Sequence, residues 1–186
     1  MRVDRTEIAD VLLIQPVVHG DARGYFEETW AEARYASLGV GPRFVQDNIS
    51  RSGRGTIRGL HLQHPDAQGK LVSVAWGEVL DVAVDVRMGS PTFGRYTAHV
   101  LSDENHRQLW IPPGFAHGFA VRSEVAVFSY KCTAPYRRES ELGIAWNDAD
   151  LGVPWDMPAP IVSPKDRALP RLAEIDPKRL PRWEAK

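Results

Sequence analysis

Eight short runs between residues 43 and 132 are rich in β-branched and aromatic residues, and each is bounded by Gly, Pro, Ser, Asn or Asp. They are RFVQDNIS (43–50), GTIRGLHL (55–62), KLVSVAW (70–76), EVLDVAVDV (78–86), RYTAHVL (95–101), RQLWIP (107–112), HGFAVR (117–122) and VAVFSYKC (125–132). Strands this short and this regularly spaced restrict the chain to an antiparallel sandwich or barrel. One helix is expected before them, over AEARYASLG (31–39), with Gly39 as its stop signal. After residue 150, Pro154, Pro158, Pro160, Pro164, Pro170, Pro177 and Pro181 interrupt the chain too often for long regular elements. That tail is expected to wrap the barrel, and the 186 residues to form a single domain spanning 1–186.

The run 78–86 carries the most information. Its even positions Leu80, Val82, Val84 and Val86 are apolar, while Asp81, Ala83 and Asp85 occupy odd ones. Alternate residues of a strand face opposite sides of the sheet, so the pattern fits either a sheet with one wet face or a barrel with polar groups inside. Other strands favour the barrel. Gln46 and Asn48 share a face, as do His117 and Phe119, and Phe128 and Tyr130. A closed β-barrel lined this way has room for one small polar ligand.

Composition narrows the function. With 23 Lys plus Arg against 24 Asp plus Glu, and no dense basic stripe, nucleic acid is not the expected partner. Cys132 is the only cysteine, which points to a reducing compartment and no internal disulfide. The apolar run Val11 to Ile14 is too short for a signal-peptide core, and no stretch is long enough to span a bilayer. The expectation is a cytoplasmic protein without membrane contact. No Walker or Rossmann fingerprint occurs.

Two chemistries fit the residues. A metal reading takes His61, His64 and His117 with a carboxylate. Residues three apart on a strand face opposite ways, which counts against a shared ion. An acid–base reading needs a neutral His oriented by a carboxylate, a Tyr to return the proton, and a Lys to hold an enolate oxygen. His61, Tyr130 and Lys70 supply those types, although the residues alone do not single out that His–Tyr pair.

The segments GDARGYFEETW (20–30), FVQDNIS (44–50), TIRGLHLQ (56–63), QGKLV (68–72), GEVLDVAVDVRMGSPTFGRY (77–96), RQLWIPPGFAHGF (107–119), YKCTAPY (130–136), ELGIAWNDADLGVPW (141–155) and SPKDRALP (163–170) resemble, in order and spacing, the dTDP-4-dehydrorhamnose 3,5-epimerase family. The resemblance runs from about residue 2 to about 172. It implies an all-β, cupin-type jelly roll that needs neither metal nor cofactor, forms a homodimer, and inverts carbons 3 and 5 of dTDP-4-dehydro-6-deoxyglucose. By the same resemblance His61 is the general base, Asp166 its orienting carboxylate, Tyr130 the proton donor on the opposite face, and Lys70 the cation near the substrate oxygen. His117 is a second active-site imidazole, with Asp85 expected as its partner.

For the nucleotide half, the resemblance implies ligand contacts at Arg23, Glu28, Gln46, Asp47 and Asn48. It implies a diphosphate contact at Arg58, thymine stacking on Tyr136, and further contacts at Glu141 and Lys165. Arg58 and His61 have opposite parity, so one cavity receives both only through a bulge at Gly59 or a reach around the rim. Three rival functions keep the fold: an epimerase acting at one centre of a dTDP-4-keto-6-deoxyhexose, a metal-dependent cupin enzyme, and a non-catalytic sugar-nucleotide binding barrel.

Overall fold

A computed structural model describes residues 1–41 and 43–184. In chain order its strands are β1 (Arg2–Arg5), β2 (Leu12–Gln15), β3 (Val18–Asp21), β4 (Gly24–Glu27), β5 (Gln46–Gly53), β6 (Thr56–Gln63), β7 (Lys70–Trp76), β8 (Glu78–Asp85), β9 (Tyr96–Ser102), β10 (Gln108–Ile111), β11 (Phe115–Val121), β12 (Val125–Cys132), β13 (Glu141–Gly143) and β14 (Ile161–Val162). Helix α1 (Glu32–Ser37) lies between β4 and β5, and the single turn α2 (Pro164–Arg167) follows β14. All eight expected strands are present, with the first starting at Gln46 rather than residue 43. Among the described residues no helix is long and apolar enough to cross a membrane.

Two six-stranded sheets face each other as a jelly roll. One runs β1-β2-β10-β7-β12-β5; the other runs β13-β6-β11-β8-β9, with β14 parallel to β6. Their inner faces meet in a core of Val72, Val74, Val79, Ala83, Phe115, Phe119, Val121 and Phe128. Fully burying a side chain of this size is worth about 1.5–3 kcal/mol, so this layer holds the sheets together.

Of the two readings of β8, the barrel interior holds and the wet face does not, because every residue from Val79 to Asp85 is buried. Its odd positions face the barrel interior. Its even positions Leu80, Val82 and Val84 pack on the outer side against Leu142, Ile144, Leu151, Trp155, Leu172, Ile175 and Leu180. The proline-rich tail therefore wraps the barrel, as expected, and in doing so supplies a second apolar layer. Trp155 anchors it, donating its indole N–H to the Trp146 carbonyl at 2.6 Å.

The outer face of the other sheet is covered by α1. Tyr35 is fully buried beside Ile14, Leu71 and Trp110, and its hydroxyl donates to Gln108 Oε1 at 2.9 Å. Burial pushes that phenol up to about 12. The helix stops at Gly39, whose φ of +80° suits a residue without a β-carbon.

Candidate active site

Strand β6 departs from ideal pairing where the chemistry lies. Against β11, His117 is opposite His61 and Phe119 is opposite Arg58, so two steps along β11 span three along β6. The extra residue is a β-bulge, and it reverses the side on which later residues project. Two glycines make room for it. A β-carbon on Gly59 would lie 2.5 Å from Gly118 Cα, and one on Gly118 would lie 2.7 Å from the Arg58 carbonyl oxygen. The parity conflict between Arg58 and His61 is thereby resolved, and both line one cavity of about 600 Å³.

That cavity is also lined by Lys70, His117, Phe128, Tyr130, Lys165 and Asp166. His61 lies 2.7 Å from Asp166 through Nε2. Asp166 is held by α2: Ser163 caps the turn by accepting from the Asp166 N–H at 3.0 Å, with Pro164 at the first helical position. Burial pushes the Asp166 carboxyl up, but the hydrogen bond and charge of His61 outweigh this and hold it below the usual range. An ionised carboxylate only accepts, so His61 Nε2 carries the proton and Nδ1 keeps its lone pair.

The other reactive groups are set by depth. Burial pulls the Lys70 ammonium below the ordinary lysine value, opposed by the charges of Cys132, Asp81 and Glu141. Burial raises the Tyr130 phenol, which keeps it protonated as a donor. Burial also lowers the His117 imidazole. Its partner is Asp81, with His117 Nε2 2.9 Å from Oδ2, and this corrects the expectation of Asp85. Asp85 instead accepts from Arg87, Ser90 and Thr92 around the turn that follows its own strand.

A neighbouring groove of about 520 Å³ shares His61 and Lys165 with the cavity and adds Tyr136, Arg138 and Glu141. Glu141 accepts from the Tyr136 hydroxyl at 3.0 Å and from Lys165 Nζ at 2.6 Å. Arg58 donates to Ser52 at 3.0 Å. Gln46 supports Tyr136 from beside the groove, accepting the Tyr136 N–H and donating to Asn48. A flat aromatic beside cations suits a base and a diphosphate.

Five expected contacts, Arg23, Glu28, Gln46, Asp47 and Asn48, line neither the cavity nor the groove. Arg23 pairs with Asp21 on the exposed β3–β4 hairpin, Glu28 with Arg34, and Asp47 with Lys131. Arg51, Ser50 and Ser163 line the cavity without having been singled out from the sequence; an arginine and two serines carry no spacing signal of their own. His64 is not among the lining residues, and among the described residues no three of His, Cys, Asp and Glu are grouped to hold a metal ion.

The comparisons with known proteins agree with this fold. Residues 5–174 match the family described as dTDP-4-dehydrorhamnose 3,5-epimerase. The Pseudomonas aeruginosa enzyme of that name is 51% identical over 178 residues, covering 95% of this chain and 98% of its own. The Legionella pneumophila dTDP-6-deoxy-D-glucose-3,5-epimerase, solved with dTDP-4-keto-L-rhamnose, superposes with a TM-score of 0.97 at 50% identity over 99% of both chains. A 3′-monoepimerase from Streptomyces bikiniensis, solved with dTDP-quinovose, gives 0.89 at 31% identity over 96% of this chain and 92% of its own. With a matched family spanning nearly the whole barrel and half its residues shared with such relatives, this chain belongs to the dTDP-4-dehydrorhamnose 3,5-epimerase family.

Proposed function

We propose that this enzyme converts dTDP-4-dehydro-6-deoxy-D-glucose to dTDP-4-dehydro-L-rhamnose, with His61 as base and Tyr130 as acid. The observation that carries the reading is the His61–Asp166 pair opening on the same cavity as Lys70 and Tyr130. Carbons 3 and 5 both flank the 4-keto group, so loss of either proton gives an enolate. His61 Nδ1 takes the proton, the Lys70 ammonium stabilises the enolate oxygen, and the Tyr130 phenol returns a proton to the opposite face. The sugar is inverted and no electron changes hands, so the chain's own residues balance the reaction. Arg58, Tyr136 and Lys165 hold the nucleotide diphosphate, leaving the sugar over the base.

The test is turnover in deuterated water followed by NMR at each carbon. Deuterium at both carbon 3 and carbon 5 of the product is expected. Label confined to one carbon would identify a single-centre epimerase, the activity named for the Streptomyces bikiniensis relative.

The active form in this reading is a cytoplasmic homodimer. The support for the dimer is the β3–β4 hairpin, which exposes Tyr25 and Phe26 and carries Arg23 with its side chain 90% exposed, none of the three lining its own cavity. Hairpin residues that cannot serve their own cavity serve a partner's, which also accounts for Glu28 at the hairpin's base. Mixing inactive Arg23→Ala and His61→Ala chains then rebuilds one intact site per hybrid dimer, giving about a quarter of wild-type activity. Persistent inactivity of the mixture, with subunit exchange demonstrated, would rule this out.

A further inference from the structure

Behind the reaction cavity the barrel interior holds titratable groups that the proposed chemistry does not use. His117 is directly opposite His61 across β6 and β11, and direct cross-strand partners project on the same face. The base thus has a second imidazole beside it. His117 Nε2 meets Asp81 Oδ2 at 2.9 Å; Asp81 is completely buried, and its other oxygen is buried with no hydrogen-bond partner among the described residues. Directly opposite Asp81 on β9 is His99. His99 Nε2 lies 2.8 Å from the Thr97 hydroxyl, which donates to Glu7 Oε2 at 2.5 Å. The Glu7 side chain is 69% exposed.

The geometry points to a proton path from the cavity floor to solvent through His117, Asp81, His99, Thr97 and Glu7, and this path resets the base between the two inversions. The inference rests on the epimerase reading above. Each inversion leaves His61 protonated and Tyr130 ionised, so the second cannot begin until both are restored. His61 passes its proton to His117 Nδ1, and His117 gives its Nε2 proton to Asp81. The carboxyl turns and hands the proton to His99; this step and the first, from His61 to His117, join cross-strand neighbours rather than standing hydrogen-bond partners. His99 gives its Nε2 proton to the Thr97 oxygen while the Thr97 hydroxyl proton moves to Glu7 and on to water. Tyr130 regains one proton from the mouth, so one leaves and one enters, and none is consumed.

The surroundings suit such a path. Burial lowers both imidazoles, which keeps them neutral and able to accept. The charges facing His117 are Asp81, Lys70 and His61, and those facing His99 are Glu7, Asp81 and Arg107. The flanking residues Val79, Ala83, Phe119 and Val121 are apolar and close off other routes.

Two variants interrupt the path away from the cavity: His99→Gln, and the nearly isosteric Thr97→Val, which guards against a folding failure in the first. Each is expected to lower kcat about tenfold with KM unchanged, and added imidazole buffer is expected to restore it in proportion to concentration by carrying protons in place of the path. The wild-type rate stays independent of imidazole. A purely structural role for His99 or Thr97 would give no buffer dependence. Normal kcat without buffer dependence in a folded Thr97→Val enzyme would overturn the path while leaving wild-type exchange at both carbons, and so the epimerase reading, intact. Absence of that exchange in the wild type would overturn both.

Discussion

His61→Ala is expected to lower kcat by a factor on the order of 10²–10⁴ while leaving dTDP affinity within a fewfold of wild type. The reason is the division of labour in the site. His61 takes the proton, whereas the nucleotide rests on Arg58, Tyr136 and Lys165 at and beyond the rim. The substitution also leaves the buried Asp166 carboxylate without its imidazole partner, which costs about 1–3 kcal/mol of stability. A melting curve on the same sample therefore belongs with the kinetics, since a folded variant that binds dTDP without turning over isolates the chemical role. Near-normal turnover would remove His61 as the base and favour the non-catalytic binding barrel or a different proton acceptor.

Asp166→Asn is expected to be almost as damaging, by roughly 10²–10⁴ in kcat, although the side chain barely changes shape. The Gly59 N–H approaches Asp166 Oδ2 at 3.5 Å, so an amide orients its oxygen there and its NH₂ toward His61. That NH₂ forces Nε2 to accept, placing the ring proton on Nδ1 and removing the lone pair that faces the sugar. Stability carries a separate signature. The Asp166 carboxyl is held below its unfolded value, so its ionised form stabilises the fold above the unfolded pKa, and that contribution is lost as pH falls through the folded one. The stability gap between wild type and Asp166→Asn should therefore narrow on acidification. A kcat close to wild type for the asparagine variant would mean that the carboxylate does not set the tautomer.

The central strands were legible because alternation is a local property. Leu80, Val82 and Val84 alternate with Asp81 and Asp85 whatever packs on them. Where its polar face points was not legible from that strand alone, since a wet face and a barrel interior give the same alternation; the facing sheet, built from distant strands, is what buries Val79 and Ala83. The short strands β1, β3 and β4 escaped notice because sequences such as RVDR and GYFE have no apolar period. The turn α2 had a signal, Ser163 followed by Pro164 and Asp166, which the surrounding prolines obscured.

The site residues were legible by type and by resemblance, but two relationships depended on register. Asp81 and Asp85 have the same parity and flank Ala83, the residue opposite His117, by equal steps. Periodicity cannot choose between them. The choice is made by the turn at 87–92, whose Arg87, Ser90 and Thr92 saturate Asp85 and leave Asp81 to the imidazole. Likewise Arg58 and His61 read as facing opposite ways until the bulge between them is seen.

The account's central claim is that a base and an acid act on opposite faces of one sugar. Tyr130→Phe in deuterated water tests it most directly, by NMR of both carbon-bound deuterium and configuration. The account predicts that exchange at the carbons beside the keto group continues, because His61 still removes and returns the proton, while inversion falls by about a hundredfold. Inversion at the wild-type rate, or loss of exchange in step with loss of inversion, would contradict it.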